Sequence, residues 1–168
     1  MPGVLKPPYN WYGAKGLAAA EIWKRLGDVP VYIEPFLGSA AVLLARPGWS
    51  ERVKWIETVN DINGYVANFW RALQSDPDAV VHYADWPVNE VDMHARHYWL
   101  LEHGADLPER LMGDPDWYDA KIAGWWVWGL SCWYGSGFCT RSGPWVVRDG
   151  RLVRGDPCLS LIHISEPT

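Results

Sequence analysis

This sequence has no long apolar run, no closely spaced pair of cysteines and no excess of basic residues. The longest apolar run, which ends at Leu130, is far shorter than the roughly 20 residues of a membrane-spanning helix, and the N-terminus lacks a secretion signal. The three cysteines have no C-x-x-C spacing and are odd in number, so they suggest neither a disulfide framework nor a zinc knuckle. A net charge of -5 argues against a generally basic nucleic-acid coat. These absences predict a cytoplasmic protein with free thiols.

Tryptophan, in contrast, is abundant, with 13 among 168 residues. So many indoles favour either a large aromatic core or an aromatic binding surface, and composition does not choose between them. Charge is also unevenly distributed. Acidic residues dominate residues 76–119, whereas residues 121–154 carry five basic residues against Asp149 alone. Any contact with DNA is therefore expected in the second of these regions.

Residues 31–42, VYIEPFLGSAAV, have the pattern of a buried strand, a glycine turn and a helix. Glu34 and Pro35 end the strand, and Gly38 allows the backbone to approach a ligand closely. Glu34 stands at the carboxyl end of the strand, where open α/β sheets bind ligands. A plain strand-turn-helix unit is the alternative. Dinucleotide binding is disfavoured because the run from Gly38 lacks the later glycines of G-x-G-x-x-G.

A second strand is predicted over residues 53–59, and Asp61 follows it. Asp61 lies roughly 20 residues beyond the glycine turn, which is the spacing at which α/β nucleotide sites place a carboxylate on ribose hydroxyls. The alternative is that Asp61 caps the next helix, predicted over residues 64–74. Taken together, Gly38 and Asp61 favour the cofactor role.

These segments resemble the motifs of Dam-type adenine-N6 DNA methyltransferases, especially their phage-like relatives. EPFLGSAAV is similar to their E-P-F-x-G-S-G-A-V motif, with Ala40 in place of a glycine. WYGAK is similar to their K-W-x-G-G-K motif, and NDIN is similar to the motif that follows in the family. The family binds S-adenosylmethionine through these motifs. The resemblance thus implies seven cofactor-binding residues: Trp11, Lys15, Glu34, Phe36, Gly38, Asp61 and Ile62.

The resemblance implies an α/β fold: a partial Rossmann-like methyltransferase domain with a mainly helical target-recognition insertion that ends in a β-hairpin. Residues 1–80 would form the cofactor part and residues 81–158 the recognition part. The implied reaction transfers a methyl group from S-adenosylmethionine to the N6 amine of a flipped adenine in double-stranded DNA. A restriction endonuclease partner is left open. The alternative from another class is a non-catalytic DNA- or nucleotide-binding module.

The D-P-P-Y motif that holds the target base in such enzymes has no match. Lys6 precedes Pro7-Pro8-Tyr9 where the acceptor side chain should stand, and Asp156-Pro157-Cys158 fails at its third position. No catalytic residue is therefore assigned, and the chain is expected to be an inactive N-terminal fragment. The last ten residues, LSLIHISEPT, resemble a translated sequencing adapter and are excluded from the fold prediction.

The helical half offers two further patterns. Asn89 is predicted to cap a helix that carries His94 and His97; without a matching cluster elsewhere they indicate a solvated helix face rather than metal ligands, so no metal is expected. Residues 120–139 contain four tryptophans that are predicted to build a helix-bundle core, with stacking on DNA bases as the alternative: Trp125, Trp126, Trp128 and Trp133.

Alternating strand formers surround Asp149-Gly150 in residues 145–154, which predicts a two-residue type I′ hairpin. Arg148 would then face Arg151, and this like-charge pair costs stability unless an anion lies between them. A DNA phosphate is the predicted anion. A solvated surface hairpin is the alternative. In the resembled family, a DNA-probing hairpin lies in this region of the chain.

Overall fold

A computed structural model describes residues 5–11, 13, 15–48, 55–133 and 138–139, and the backbone of two strands at 145–148 and 151–154. The predicted turn at Asp149-Gly150 and the last ten residues lie outside this described part. The chain divides into two compact units, Met1–Val66 and Ala67–Thr168. In the described ranges, no helix is long and apolar enough to cross a membrane.

The first unit alternates helices and parallel strands. Its elements are α1 (Gly16–Leu26), β1 (Val31–Glu34), α2 (Ala41–Leu44) and β2 (Ile56–Val59). Strands β1 and β2 pair in parallel, with Val31 opposite Ile56 and Glu34 opposite Val59. The strand-turn-helix pattern is confirmed, and Glu34 is the last residue of β1. The second predicted strand, residues 53–59, is observed over Ile56–Val59; Trp55 precedes the strand, and residues 53 and 54 lie outside the described part.

The core of the first unit lies between α1, α2 and one face of the sheet. Ala19, Trp23, Tyr32 and Val42 form a buried cluster, in which the Trp23 and Tyr32 ring centroids are 4.8 Å apart. The Trp23 indole donates a hydrogen bond of 2.7 Å to the carbonyl of Val42. Buried aromatic rings with a satisfied N–H contribute strongly to such a core. Helix α1 is thereby tied to α2 across the end of β1.

The opposite face of the same sheet is open. Val31, Ile33 and Ile56 are 50%, 64% and 63% exposed. Side chains alternate between the two faces of a strand, so the exposure of Val31 and Ile33 follows directly from the burial of Tyr32 and Glu34. Parallel sheets are usually covered on both faces. The two strands therefore have the apolar composition of strands from a sheet with a second covering layer.

The second unit is mainly helical. Helix α3 (Gly64–Ser75) contains the point of division, and α4 (Pro77–Ala84), α5 (Glu90–His103), α6 (Leu107–Gly113) and α7 (Ala120–Cys132) follow. Side chains cap α4, α5 and α7. Asp76 accepts from the backbone of Ala79, and the predicted cap at Asn89 is confirmed by its 2.8 Å bond from the N–H of Asp92. Capping satisfies backbone donors that the first turn leaves unpaired.

Asp119 makes the third cap and also links two helices. Its side chain accepts from the N–H of Ile122 at the start of α7. Its backbone exchanges two hydrogen bonds with the fully buried side chain of Asn68 on α3, at 2.8 and 2.9 Å. A buried amide with both ends bonded fixes the position of α3 relative to α7.

Two of the four predicted core tryptophans are confirmed as core residues. Trp126 and Trp128 are buried, and Trp126 packs against Phe69, with ring centroids 6.1 Å apart. Trp125 and Trp133 are only half-buried. Helices α7 and α4 approach so closely at Gly124 that a Cβ there would lie 2.4 Å from the Cβ of Tyr83. Only glycine fits at this crossing.

The hairpin of residues 145–154 has the predicted register. Strands β3 (Trp145–Arg148) and β4 (Arg151–Arg154) pair antiparallel, and Arg148 is opposite Arg151. Within the described ranges, no group of His, Cys, Asp and Glu has the arrangement of a metal site. His94 lies 3.8 Å from Glu90, whereas His97 is buried rather than solvated. The prediction of a solvated face is therefore wrong for His97, because its ring packs against Phe138 and Trp133.

Candidate functional site: a cleft at the carboxyl ends of the parallel strands

A cleft of about 360 Å³ lies where β1 and β2 end. The N-terminal segment forms one wall with Trp11, Gly13 and Lys15, and the loop after β1 forms another with Glu34, Phe36, Leu37 and Ser39. Asp61 follows β2 and lines the same cleft. Because parallel strands end at one edge of the sheet, residues that are far apart in sequence meet there. The volume is within the range of about 300–1,000 Å³ that is usual for small-molecule sites.

The turn at Gly38 is the most constrained part of the cleft. Gly38 has a left-handed backbone with φ of 50°, and its N–H donates a 2.8 Å hydrogen bond to Oδ2 of Asp61. Its carbonyl accepts a 2.8 Å bond from the hydroxyl of Tyr9. A Cβ at Gly38 would lie 2.5 Å from the indole of Trp11. Glycine is therefore required both by the backbone conformation and by the contact with Trp11.

Ala40 also has a left-handed backbone, with φ of 55° and ψ of 29°, and it immediately precedes α2. This conformation costs an L-residue about 1–2 kcal/mol, and glycine adopts it freely. The glycine that the resembled motif has here therefore relieves backbone strain as well as leaving room for a cofactor. The buried Ala40 accepts the strain.

Glu34 is a buried carboxyl, 5% exposed, at the end of β1. Burial raises its pKa, against the opposing effects of a 3.1 Å hydrogen bond from the hydroxyl of Tyr32 and of the nearby Lys15 ammonium. Burial also raises the pKa of Tyr32, and the adjacent Glu34 carboxylate raises it further. Raised carboxyl pKa values in clefts are typical of functional sites, although structural networks also produce them.

Lys15 connects the N-terminal segment to the loop after β1. Its Nζ donates a 3.1 Å hydrogen bond to the carbonyl of Phe36 and lies 3.8 Å from Oε1 of Glu34. The lysine side chain is 46% exposed, so the ammonium retains access to solvent and to a ligand in the cleft. An ammonium has three donors, and these two contacts leave capacity for an anionic group.

The structure thus brings together six of the seven residues predicted to bind the cofactor: Trp11, Lys15, Glu34, Phe36 and Asp61 line the cleft, and Gly38 contacts both Trp11 and Asp61. Ile62 is 92% exposed and does not line the cleft, so its role stays a prediction. The side chains of Arg148 and Arg151 lie outside the described part of the chain.

Sequence reasoning missed two residues that hold the site in place. Tyr9 anchors the carbonyl of Gly38, and no spacing rule connects residues so far apart in the chain. Tyr32 donates a hydrogen bond to Glu34, and the sequence contained a pattern that could have identified Tyr32. Residues i and i+2 of a strand share a face, so the burial of Glu34 required Tyr32 to be buried beside it.

The left-handed backbone at Ala40 leads to a comparison of two glycine substitutions. Ala40→Gly and Ala41→Gly each remove one buried methyl group, but Ala41 is in α2 and has no strain to relieve. We expect Ala40→Gly to be more stable than Ala41→Gly by about 1–2 kcal/mol in free energy of unfolding, measured by urea denaturation. Equal costs would mean that the Ala40 methyl group contributes packing that outweighs its backbone strain.

The raised pKa of Glu34 predicts a specific pH dependence. The unfolded carboxyl ionises near 4.5, before the folded one, so the free energy of unfolding should fall as pH rises from 4.5 through the higher folded pKa. Glu34→Gln removes this loss, and its stability relative to wild type should increase over that interval and then level off. Urea denaturation at several pH values measures the effect.

Tyr32→Phe is the matched variant for this experiment. It removes the hydrogen bond that favours the ionised form of Glu34, so it should lower stability at neutral pH more than at pH 4.5. In the Glu34→Gln background, the pH dependence of this effect should disappear. A Glu34→Gln variant less stable than wild type at neutral pH would show that pairing with Lys15 outweighs desolvation.

Comparison with known proteins gives one match. The family model of the D12 class N6 adenine-specific DNA methyltransferases matches residues 11–101. No curated protein and no solved structure matches the chain. The matched span is more than half of the 168 residues and includes both parallel strands and the cleft residues from Trp11 to Asp61. The chain therefore belongs to the D12 class N6 adenine-specific DNA methyltransferase family.

Proposed function

We propose that the cleft of the first unit binds S-adenosylmethionine and that the protein serves in methylation of adenine N6 in DNA. The observation that carries this proposal is the Gly38 turn. At this turn a left-handed glycine packs against the Trp11 indole and is held by the Asp61 carboxylate, so that both side chains line the cleft at the ends of two parallel strands. Family membership supports the reaction class.

The donors and acceptors of the cleft fit the parts of this cofactor. Asp61 uses its carboxylate oxygens for the N–H groups of Gly38 and Asn63, and each oxygen has a further lone pair for a ribose hydroxyl. Lys15 suits the methionine carboxylate, and the indole of Trp11 suits an adenine ring or a sulfonium. Glu34 can accept from the amino group of the methionine part.

The bound cofactor would supply the methyl group, and the residues of this chain would position it. Tyr9 and Asp61 hold the turn from both sides through the carbonyl and the N–H of Gly38. Trp11 packs on the same glycine, and Lys15 ties its segment to the carbonyl of Phe36. The site is therefore held by three separate chain segments, which favours a fixed cofactor orientation.

We further propose that β1 and β2 are neighbouring strands of a Rossmann-like sheet. Residues 1–80 would provide the cofactor part and residues 81–158 the recognition part. No D-P-P-Y sequence is present among the 168 residues, so we assign no catalytic residue and expect no methyl transfer by this chain alone. A non-catalytic DNA- or nucleotide-binding module is the second candidate, favoured by that missing motif.

Calorimetric titration with S-adenosylmethionine tests the cofactor site. The chain should bind it, and Asp61→Ala should weaken binding about 10- to 150-fold, as expected for loss of hydrogen bonds to a charged group. The variant should also lose the preference for the ribose over the 2′-deoxyribose form of the cofactor. Asp28→Ala is the control, because Asp28 is an exposed carboxylate that does not line the cleft.

Two outcomes would count against the proposal. Absence of binding by the folded wild-type chain would remove the cofactor site. An Asp61→Ala variant that binds weakly yet keeps the ribose preference would reduce Asp61 to a support for the Gly38 turn. Transfer of a radiolabelled methyl group to duplex DNA by this chain would overturn the assignment of no catalytic residue.

We propose in addition that Arg148 and Arg151 contact the DNA backbone. They are opposite each other in the β3–β4 register, and like charges at such positions are destabilising unless an anion lies between them. Replacing both by alanine should reduce the slope of log affinity against log salt for duplex DNA by up to about 1.8. Fluorescence anisotropy at several salt concentrations measures it. Unchanged affinity and slope would indicate a solvated surface hairpin instead.

A further inference from the structure

A second cleft, of about 590 Å³, lies within the helical unit. It is formed by the end of α4, the linker before α5, and the facing sides of α5 and α7. Indoles make up much of its wall, namely those of Trp86, Trp99 and Trp125. Its volume suits a ligand the size of a nucleotide.

Trp86 is an exposed indole held in a fixed position. The residue is 51% exposed, yet its Nε1 donates a 2.7 Å hydrogen bond to Oδ2 of Asp92, and its carbonyl accepts one of 2.8 Å from the indole of Trp128. The guanidinium of Arg96 lies 4.9 Å from the ring centroid. A large aromatic surface that is fixed and left in water is the arrangement of a stacking platform for bases.

Arg96 lines this cleft, and Lys121 lies beside two of the indoles in its wall. Arg96 is 7% exposed and surrounded by the indoles of Trp86, Trp125 and Trp128, and no residue in the described part of the chain accepts a hydrogen bond from its Nη1. Lys121 places its Nζ 4.3 Å from the Trp99 ring centroid and 4.4 Å from that of Trp125. None of the described carboxylates forms an ion pair with either cation.

Indole faces attract both cations but do not neutralise them. Burial lowers the pKa of Arg96, with the Asp92 charge acting in the opposite direction. Asp92 accepts hydrogen bonds from the Trp86 indole and the Asn89 amide, both at its Oδ2. Asp85 and Asp92 line the cleft with Arg96, whereas Lys121, beside the Trp99 and Trp125 indoles, has no ion pair in the described part of the chain and can meet an incoming anion.

We propose that this cleft binds a nucleotide, with its base stacked on Trp86 and its phosphate near Lys121. An exposed aromatic platform beside unpaired cations matches a base joined to a phosphate better than it matches either part alone. Asp85 also lines the cleft and can accept a hydrogen bond from an exocyclic amine of the base. The proposal rests on the proposed function only in naming DNA as the source of the nucleotide.

The test uses the whole chain and two probes, adenosine monophosphate and a fluorescein-labelled ten-nucleotide single-stranded DNA. Binding is measured by fluorescence anisotropy, and for the mononucleotide by quenching of tryptophan fluorescence. Trp86→Ala should weaken binding of the oligonucleotide about 5- to 140-fold. Trp86→Leu keeps an apolar side chain in case alanine prevents folding, and it should lose the same stacking.

Two matched controls separate the cleft from general effects. Trp117 is a tryptophan of the helical unit that lies outside the cleft and has the Arg110 guanidinium 5.5 Å from its ring. The Trp117→Ala variant should bind the oligonucleotide as wild type does. Lys121→Gln should reduce the salt slope for the oligonucleotide by about 0.7, the value for one phosphate of a single strand. Lys24→Gln, at an exposed position on α1, should leave the slope unchanged.

Each binding result either supports or overturns the proposed nucleotide cleft. Binding of the oligonucleotide that depends on Trp86 and Lys121 supports the proposal, and equal dependence with the mononucleotide identifies a free nucleotide as a sufficient ligand. Equal binding by wild type and Trp86 variants, or an equal loss in Trp117→Ala, overturns it. Binding of tetramethylammonium without any nucleotide binding would identify an aromatic cage for cations and also overturn it.

This test can fail independently of the cofactor site. Trp86→Ala should bind S-adenosylmethionine as wild type does, because Trp86 does not line the first cleft. Cofactor binding without oligonucleotide binding would remove only the nucleotide cleft. Oligonucleotide binding without cofactor binding would remove only the cofactor site.

Discussion

The hydrogen bond between the N–H of Gly38 and the carboxylate of Asp61 is the constraint on which the first unit's cleft depends. It joins the loop after β1 to the loop after β2 at the edge of the sheet where both strands end. Two backbone bonds, from Leu37 to Asn60 and from Asn60 to Glu34, continue the strand pairing up to this point. The left-handed turn is thus fixed from outside, which is how strained backbone persists in folded proteins.

Each unit contains a buried arginine, and the two arginines have different partners. Arg46 in the first unit lies 3.7 Å from the Trp55 ring centroid and also forms a 3.2 Å ion pair with Glu57. Arg96 in the second unit has three indoles around it and no such pair among the described residues. Glu57 balances the charge of Arg46 directly, whereas Arg96 has the indole faces and the nearby charge of Asp92, which forms no ion pair with it.

Much of the first unit was predictable, because its signals are local or topological. The β-prone residues 31–33, the glycine turn and the segment before Asp61 predicted both strands, and the rule that parallel strands end together predicted that Glu34 and Asp61 would meet. The Asn89 cap and the Arg148–Arg151 register followed from equally local patterns.

What could not be predicted depends on contacts between distant segments. The bond from Tyr9 to Gly38 and the left-handed backbone of Ala40 result from how the turn is held, which no residue spacing reveals. His97 has the pattern of a surface residue and became buried because Phe138 and Trp133 cover its ring. Similarly, tryptophan content suggested a core or a surface, and α7 provides both, with Trp126 buried and Trp125 in a cleft.

Gly124 does not line the proposed nucleotide cleft, yet it permits the close approach of two helices that do. Its missing side chain lets α7 approach α4 until a Cβ would lie 2.6 Å from the carbonyl of Val80, and its neighbour Trp125 then shares a cleft wall with Tyr83. A side chain at position 124 would therefore meet the backbone of α4, and the spacing of two helices that line the cleft depends on a residue that does not line it.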